Sequence, residues 1–164
     1  MTWQITNAVV GSQPIASFDT VQKHPFGTIV RAKDPDYGEG EFIYLKGVAS
    51  TLVGDWVLYK EDDWTTERLV ADSIGPVAIA MSANILATTY GWYQIRGKAV
   101  GSCLTAFADN AQVWITATAG AIDDVSVTGD LVNLAKGAST VSGATILADF
   151  EINRPFVNDF SNAA

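Results

Sequence analysis

The sequence predicts an all-β fold, because strand-like segments are evenly spaced and helical patterns are missing. About nine short segments rich in β-branched and aromatic residues alternate with turn residues, at the spacing of a sandwich or barrel. No amphipathic segment is long enough for a standard helix, so we expect at most a short helical piece near 81–88 or 105–110. The expected architecture is a compact antiparallel β-sandwich or barrel, jelly-roll-like, with extended arms at both ends and very little helix.

Residues 1–26 show no sustained periodicity, and their apolar side chains are scattered among glycine and proline. Such a segment cannot bury its apolar groups by folding alone. It is either a partly disordered leader or an extended arm lying on a neighbouring subunit, and its aromatic content favours the arm. We therefore expect an arm at 1–26, a β-sandwich or barrel domain at 27–151 and a C-terminal tail at 152–164.

The stretch 38–59 is the centre of the predicted sheet. Phe42 and Tyr44 alternate with Ile43 and Leu45, so apolar groups fall on both faces of one strand. A strand of this kind is either central in a two-layer structure or covered on its second face by another chain. The predicted strands along the chain are 28–32, 42–46, 56–59, 64–70, 77–81, 90–100, 112–116, 126–132 and 145–152, and 118–122 runs on to a polar pair at 123–124.

A short motif occurs twice, as Gly-Asp-Trp-Val at 54–57 and as Gly-Asp-Leu-Val at 129–132. Glycine can take a positive φ, and the aspartate can cap its own turn before the strand begins. The repeat therefore predicts two similar corners of one sandwich or barrel.

The composition favours a homo-oligomer or a permanent complex over an unusually lightly charged monomer. Charged residues make up 17% of the 164 residues, and buried interfaces are depleted in charge. The net charge of −8 disfavours nucleic acid and anionic membranes as partners. The first residues lack the pattern of a signal peptide, and no apolar run approaches the roughly 20 residues that span a bilayer. We expect synthesis in a cytoplasm.

The residues that carry chemistry are sparse, and we expect neither an enzyme nor a cofactor. His24 is the only histidine and Cys103 the only cysteine. The acidic stretch 34–41 resembles a calcium loop, but its glycine comes one place too early and no bidentate glutamate follows, which favours a solvated turn. The carboxylates at 61–63 fit a hairpin tip better than the acid pair of a glycosidase.

The aromatic residues around Trp92 are more informative. Tyr93 and Ile95 share one face of the predicted strand, which we interpret as core. Trp92 shares the other face with Arg96, and the two are interpreted first as an exposed interface pair, then as core, and last as a ligand site.

Four stretches carry a resemblance to a known family: YGEGEFIYLKG (37–47), VGDWV (53–57), GPVAIA (75–80) and YGWYQIRGKA (90–99). In these stretches the chain resembles the capsid decoration, or cement, proteins of tailed bacteriophages. The resemblance implies a structural virion protein, made in the host cytoplasm, that binds the outer surface of the head and cements neighbouring major capsid subunits. It also implies trimers or dimers on symmetry axes.

The partner contacts are expected mainly in the segments 1–26 and 152–160. The alternative is a carbohydrate-binding or fibre-type β-sandwich on a virion, using Trp56, Trp64 or Trp92 against sugar rings. An enzyme built on acidic pairs has the least support. The candidate residues for binding the capsid partner are Trp3, Ile5, Phe18, Phe26, Trp92, Arg96, Phe156 and Phe160.

Overall fold

The computed structural model describes residues 3–6, 11–83, 89–141 and 146–158, and this part of the chain is all-β. The fold class is confirmed: the sheet is antiparallel, has 12 strands and is not closed into a barrel. The expected helical piece at 105–110 is a pair of turns, and most of the one at 81–88 lies outside the described residues. Among the described residues no helix is able to cross a membrane.

The strands follow one another with short turns between most of them. They are β1 (Gln4–Ile5), β2 (Phe18–Asp19), β3 (Ile29–Asp34), β4 (Gly38–Lys46), β5 (Trp56–Tyr59), β6 (Thr66–Arg68), β7 (Gly75–Ala80), β8 (Tyr90–Ser102), β9 (Gln112–Ile115), β10 (Ile122–Asp123), β11 (Leu131–Gly137) and β12 (Leu147–Val157).

The long strand β8, with 13 residues, is the centre of the sheet. Strand β4 pairs with its first half, from Tyr90 to Arg96, and β12 pairs with its second half, from Arg96 to Ser102. The order across the sheet is β1-β3-β4-β8-β7-β12-β11-β9-β10, while β2 joins β8, β5 joins β7 and β6 joins β5. Residue Arg96 therefore lies where β4, β8 and β12 meet.

Both faces of β4 are buried, as the sequence predicts. Ile43 and Leu45 belong to one apolar cluster with Tyr93, and Phe42 and Tyr44 belong to another on the opposite face. The second face is covered by the N-terminal part of the same chain, because Ile15 is fully buried there. No second chain is needed to explain why this strand is apolar on both sides.

The described residues of 1–26 lie along their own sheet. Strand β1 pairs with β3, and β2 pairs with the start of β8. His24 is buried between the rings of Tyr44 and Trp92, and its Nε2 lies 2.9 Å from the side-chain oxygen of Gln13. At the other end, the domain boundary predicted between 151 and 152 falls inside β12.

The two copies of the Gly-Asp motif form the two similar corners that their sequence predicts. Gly54 and Gly129 have φ values of 88° and 90°, a region open to glycine. The following aspartates, Asp55 and Asp130, are both buried, and each backbone N–H donates to the carbonyl three residues earlier. Each corner leads directly into a strand, β5 or β11.

Candidate functional site

An arginine cluster surrounds one buried carboxylate on the surface of the sheet. The Glu41 Oε1 atom lies 3.4 Å from Arg31 Nη2 and 3.5 Å from Arg96 Nη1. Its other oxygen, Oε2, accepts a hydrogen bond of 3.0 Å from Arg154 Nη2. Three of the four arginines in the chain thus converge on Glu41.

Strand register brings two of these arginines to Glu41. Arg31 on β3 and Arg96 on β8 are the direct cross-strand partners of Glu41 on β4. The register of β4 and β8 shifts beside Glu41, because Phe42 pairs with Gln94 and leaves Ile95 as an extra residue. A bulge of this kind re-aims the neighbouring side chain, and here it places Arg96 beside Glu41.

The third arginine comes from a second bulge, between β11 and β12. Asn133 pairs with Phe156 and Ala135 with Ile152, so a single residue, Leu134, faces three residues of β12. Leu134 and Arg154 have φ values of 61° and 53°. This left-handed region disfavours side chains other than glycine by about 1 kcal/mol or more per residue. Strained bulges of this type cluster at functional sites, where they aim particular side chains.

The cluster places exposed guanidiniums around a buried carboxylate. The Glu41 side chain is 7% exposed, whereas those of Arg31, Arg96 and Arg154 are 58%, 48% and 59% exposed. One carboxylate and three guanidiniums leave an excess of positive charge at the surface of a chain whose net charge is −8. Because each guanidinium carries five N–H donors, one carboxylate cannot accept all of them.

Apolar side chains and a groove adjoin the arginines. Leu134, which is 63% exposed, lies in the bulge opposite Arg154, and Phe156, which is 37% exposed, follows Arg154 by two residues on β12. An open groove of about 340 Å³ begins at Leu134 and is lined by Leu134, Ala135, Lys136, Glu151, Ile152 and Asn153. We call the surface formed by Arg31, Arg96, Arg154, Leu134 and Phe156 the bulge face.

A second apolar surface, the corner patch, lies at the far end of the β8–β12 ladder. It consists of the exposed side chains of Leu52, Val53, Ile146 and Leu147. Leu147 reaches the Gly54 corner, since a Cβ atom on Gly54 would lie 2.8 Å from Leu147 Cδ2. Arg96 and Ser102 mark the two ends of this ladder, and the strand rise separates them by about 20 Å.

The structure gives different positions to the candidate partner-binding residues. Arg96 and Phe156 lie on the bulge face, and Phe18 is exposed on β2. Trp3, Ile5 and Phe26 are partly buried against the core cluster that contains Phe42 and Tyr44. Phe160 lies outside the described residues.

Trp92 does not form the exposed pair with Arg96 that the sequence favoured. Its side chain has no accessible surface, because His24 and Tyr44 pack against its ring. Trp56 is likewise fully buried, so of the tryptophans considered for sugar stacking only Trp64 keeps partial exposure.

Sequence reasoning missed Arg31, Arg154, Glu41 and Leu134. Glu41 was interpreted as part of an acidic turn, although it stands directly before the apolar run of β4, where an unpaired charge would be costly. That position was a usable signal for a buried ion pair. Nothing local in the sequence connects it to Arg154, which lies 113 positions away.

The other candidate sites have structural explanations. In the acidic stretch 34–41, Asp34 Oδ1 accepts the backbone N–H groups of Asp36 and Tyr37, as expected for a turn. Within the described residues, no three His, Cys, Asp or Glu side chains are grouped to hold a metal. Cys103 is buried, and this burial raises the pKa of its thiol to about 11.

Comparison of the chain with protein-family models, with curated proteins and with solved structures found no match. Function is therefore inferred from the chain's own residues, and the bulge face and the corner patch are the surfaces that carry the inference.

Proposed function

We propose that this protein is a structural virion protein that binds the outer surface of a phage head and cements neighbouring major capsid subunits. One observation carries the proposal. Two surfaces suited to protein partners, the bulge face and the corner patch, lie about 20 Å apart on one continuous strand ladder. A ladder paired along its length holds both surfaces in a fixed relation, which is what a bridge between two neighbours requires.

The chemistry of both surfaces fits protein partners. Arginine and aromatic side chains are enriched at the energetic centres of interfaces, and the bulge face combines arginines with Phe156. The corner patch groups aliphatic side chains, which mark interaction sites when they are contiguous and exposed. The resemblance supports the same interpretation, because two of its stretches, 37–47 and 90–99, include all of β4 and the first part of β8.

A bridging protein of this kind stabilises the shell by mass action. A ligand that binds only the assembled lattice lowers the free energy of that state, and many copies on one lattice add their contributions. Trimers or dimers remain part of the proposal on the ground of the low charged fraction, 17%. The apolar second face of β4 no longer supports them, since the same chain covers it.

The carbohydrate-binding alternative lacks comparable support. Stacking on sugar rings needs exposed aromatic faces, and Trp56 and Trp92 have none. The protein-binding function is therefore the better supported of the two.

The experiment is co-sedimentation of the protein with purified heads of the same phage, followed by heating of the heads to release DNA. The wild type is expected to bind saturably and to raise the temperature of DNA release. Substitution at either surface alone, Leu52→Ser with Leu147→Ser or Phe156→Ser with Leu134→Ser, should weaken binding and remove the protection.

Val125→Ser is the matched control, because Val125 is exposed outside both surfaces. A wild-type protein that stays in the supernatant would contradict the proposal. So would unaltered protection by both double variants.

A further inference from the structure

We infer that the arginine cluster is a recognition site for the side-chain carboxylate of an acidic protein segment that also carries an apolar side chain. This inference deepens the proposed function and rests on it, because it names the chemistry of the partner at the bulge face. The site consists of Arg96 and Arg154, assisted by Arg31, with Glu41 holding them in place.

Glu41 acts as a template for the arginines. It is buried on β4 and contacts guanidiniums from β3, β8 and β12, so the three side chains are held together before any partner arrives. Pre-ordering long side chains reduces the entropy lost on binding. Guanidinium is also the cation whose flat, forked donors match a carboxylate in pairs.

The positive excess of the cluster is not cancelled by its acidic neighbours on β12. Glu151 is paired with Lys136 at 3.1 Å, and Asp149 with Lys98 at 3.0 Å. Arg96 and Arg154 share the single carboxylate of Glu41, which leaves an excess of positive charge in this set of ion pairs. An additional carboxylate is the group that would balance it.

The apolar flank favours a peptide over an inorganic anion. Leu134 is exposed opposite Arg154 and lines the groove, and Phe156 is exposed two residues after Arg154 on β12. An inorganic anion would leave these side chains uncovered, whereas an acidic segment with an apolar residue would cover them while its carboxylate meets the arginines.

The overall charge favours a short acidic segment over an extended polyanion. With a net charge of −8, the rest of the chain repels nucleic acid. Screening confines the field of surface charges to about 8 Å at physiological ionic strength, so one or two carboxylates at the cluster interact mainly with the arginines.

The test is titration of isotope-labelled full-length protein with a peptide of alternating Glu and Leu, followed by ¹H–¹⁵N NMR. We expect shifts at the Nε–Hε groups of Arg96 and Arg154 and at the amides of Leu134 and Phe156. A peptide with Gln in place of Glu should cause no shifts there. Arg96→Gln or Arg154→Gln should weaken binding by about tenfold each. Lys23→Gln, which lies outside the bulge face, should leave binding unchanged.

Arg96→Lys is a second variant, for use if Arg96→Gln does not fold. Lysine keeps the positive charge but lacks the paired N–H donors of the guanidinium, so this variant should also weaken binding. No shifts with the Glu peptide would overturn the inference, and so would equal shifts with the Gln peptide. Inorganic phosphate shifting the same signals as strongly as the Glu peptide would also overturn it in favour of a general anion site.

The two proposals can fail separately. If Arg96→Gln abolishes peptide binding but not head binding, the cementing function stands. The contact with the capsid would then not use an acidic segment at the arginine cluster. If the protein binds the peptide but not the heads, the cementing function is contradicted. The carboxylate-binding site would still stand.

Discussion

At the scale of single residues, Glu41 is the ion-pair partner that connects β3, β4, β8 and β12. A buried carboxylate is stable only where positive charge and hydrogen bonds replace its water. Without it, Arg96 and Arg154 would lose the carboxylate that they share. We expect Glu41→Gln to lower the free energy of unfolding by about 2 kcal/mol, measured by urea denaturation.

Glu39→Gln is the control, because Glu39 is an exposed glutamate on the same strand. The loss of unfolding free energy caused by Glu41→Gln should be smaller at high salt, because salt screens the charges of the exposed guanidiniums. Equal urea midpoints for wild type and Glu41→Gln would show that the cluster does not stabilise the fold.

Cys103 provides a test of burial through its pKa. Burial raises the pKa of the thiol to about 11, and Asp123 and Asp124 add to the rise. The native thiol should therefore react with iodoacetamide at pH 8 far more slowly than the urea-unfolded thiol, which titrates near the ordinary value of about 8.5. Labelling of the native protein at the unfolded rate would contradict the buried position.

The same pKa fixes the sign of a pH effect on stability. Between about pH 8.5 and 11 the native state holds the thiol proton that the unfolded state has lost. Stability from this group is therefore complete below that range and declines as the pH rises through it. Burial also raises the pKa values of Tyr44 and Tyr59, so the effect of Cys103 is isolated by comparing wild type with Cys103→Ala. The difference between their urea midpoints should become smaller at high pH, because only the wild type loses the contribution of the thiol.

Gly97 tests the close approach of β8 to β4 beside the arginine cluster. Its φ is +103°, and a Cβ atom there would lie 2.5 Å from the carbonyl oxygen of Glu39. We expect Gly97→Ala to destabilise the protein by about 2 kcal/mol or more. Gly38→Ala is the matched control, because Gly38 has a φ of +75° with no heavy atom within 4 Å. The stability of both variants is measured by thermal denaturation. If Gly97→Ala and Gly38→Ala lose the same stability, the positive φ alone explains the effect and the close approach to Glu39 does not contribute.

At the scale of elements, the N-terminal segment is a cover for the outer face of β4 and β8. Ile15 is fully buried against this face, whereas Val21 in the same segment is largely exposed. We expect Ile15→Ala to lower the free energy of unfolding by about 3 kcal/mol and Val21→Ala to change it little, as measured by urea denaturation. Similar small effects for both would mean that the segment does not seal the core.

This packing changes how the predicted role of 1–26 can be tested. Removing the segment would uncover Phe42, Tyr44 and Trp92, so a deletion would confuse partner binding with unfolding. Substitutions at exposed positions such as Phe18 keep the cover in place and test partner contacts alone.

The sequence predicts those elements that depend on local pattern. Alternation in β4 predicts its two buried faces, and the Gly-Asp motifs predict their corners, because both depend on neighbouring residues. The same alternation puts Tyr93 and Ile95 on one face of β8 and Trp92 on the other. It cannot say that Trp92 is covered, since the cover comes from a segment without periodicity.

The arginine cluster depends on long-range register, which local pattern does not encode. Arg31, Arg96 and Arg154 come from three strands, and bulges aim two of them. A bulge shifts the alternation by one residue without a unique sequence signature, particularly where Leu134 rather than glycine takes the positive φ. Of the three arginines in the cluster, the sequence therefore identified only Arg96 as a candidate residue.

At the scale of the whole molecule, one antiparallel sheet carries an arginine-rich face and an aliphatic patch at opposite ends of the β8–β12 ladder. The chain carries a net charge of −8, and net negative charge opposes the approach of nucleic acid. The central claim is that these surfaces bind neighbouring subunits of an assembled shell.

The most direct measurement is the mass of the protein by light scattering, alone and mixed with purified capsid shells. We expect saturable addition of copies to the shells, with a stoichiometry that matches sites on the capsid lattice, and a dimer or trimer in free solution. A stable monomer that leaves the mass of the shells unchanged at every concentration would contradict it.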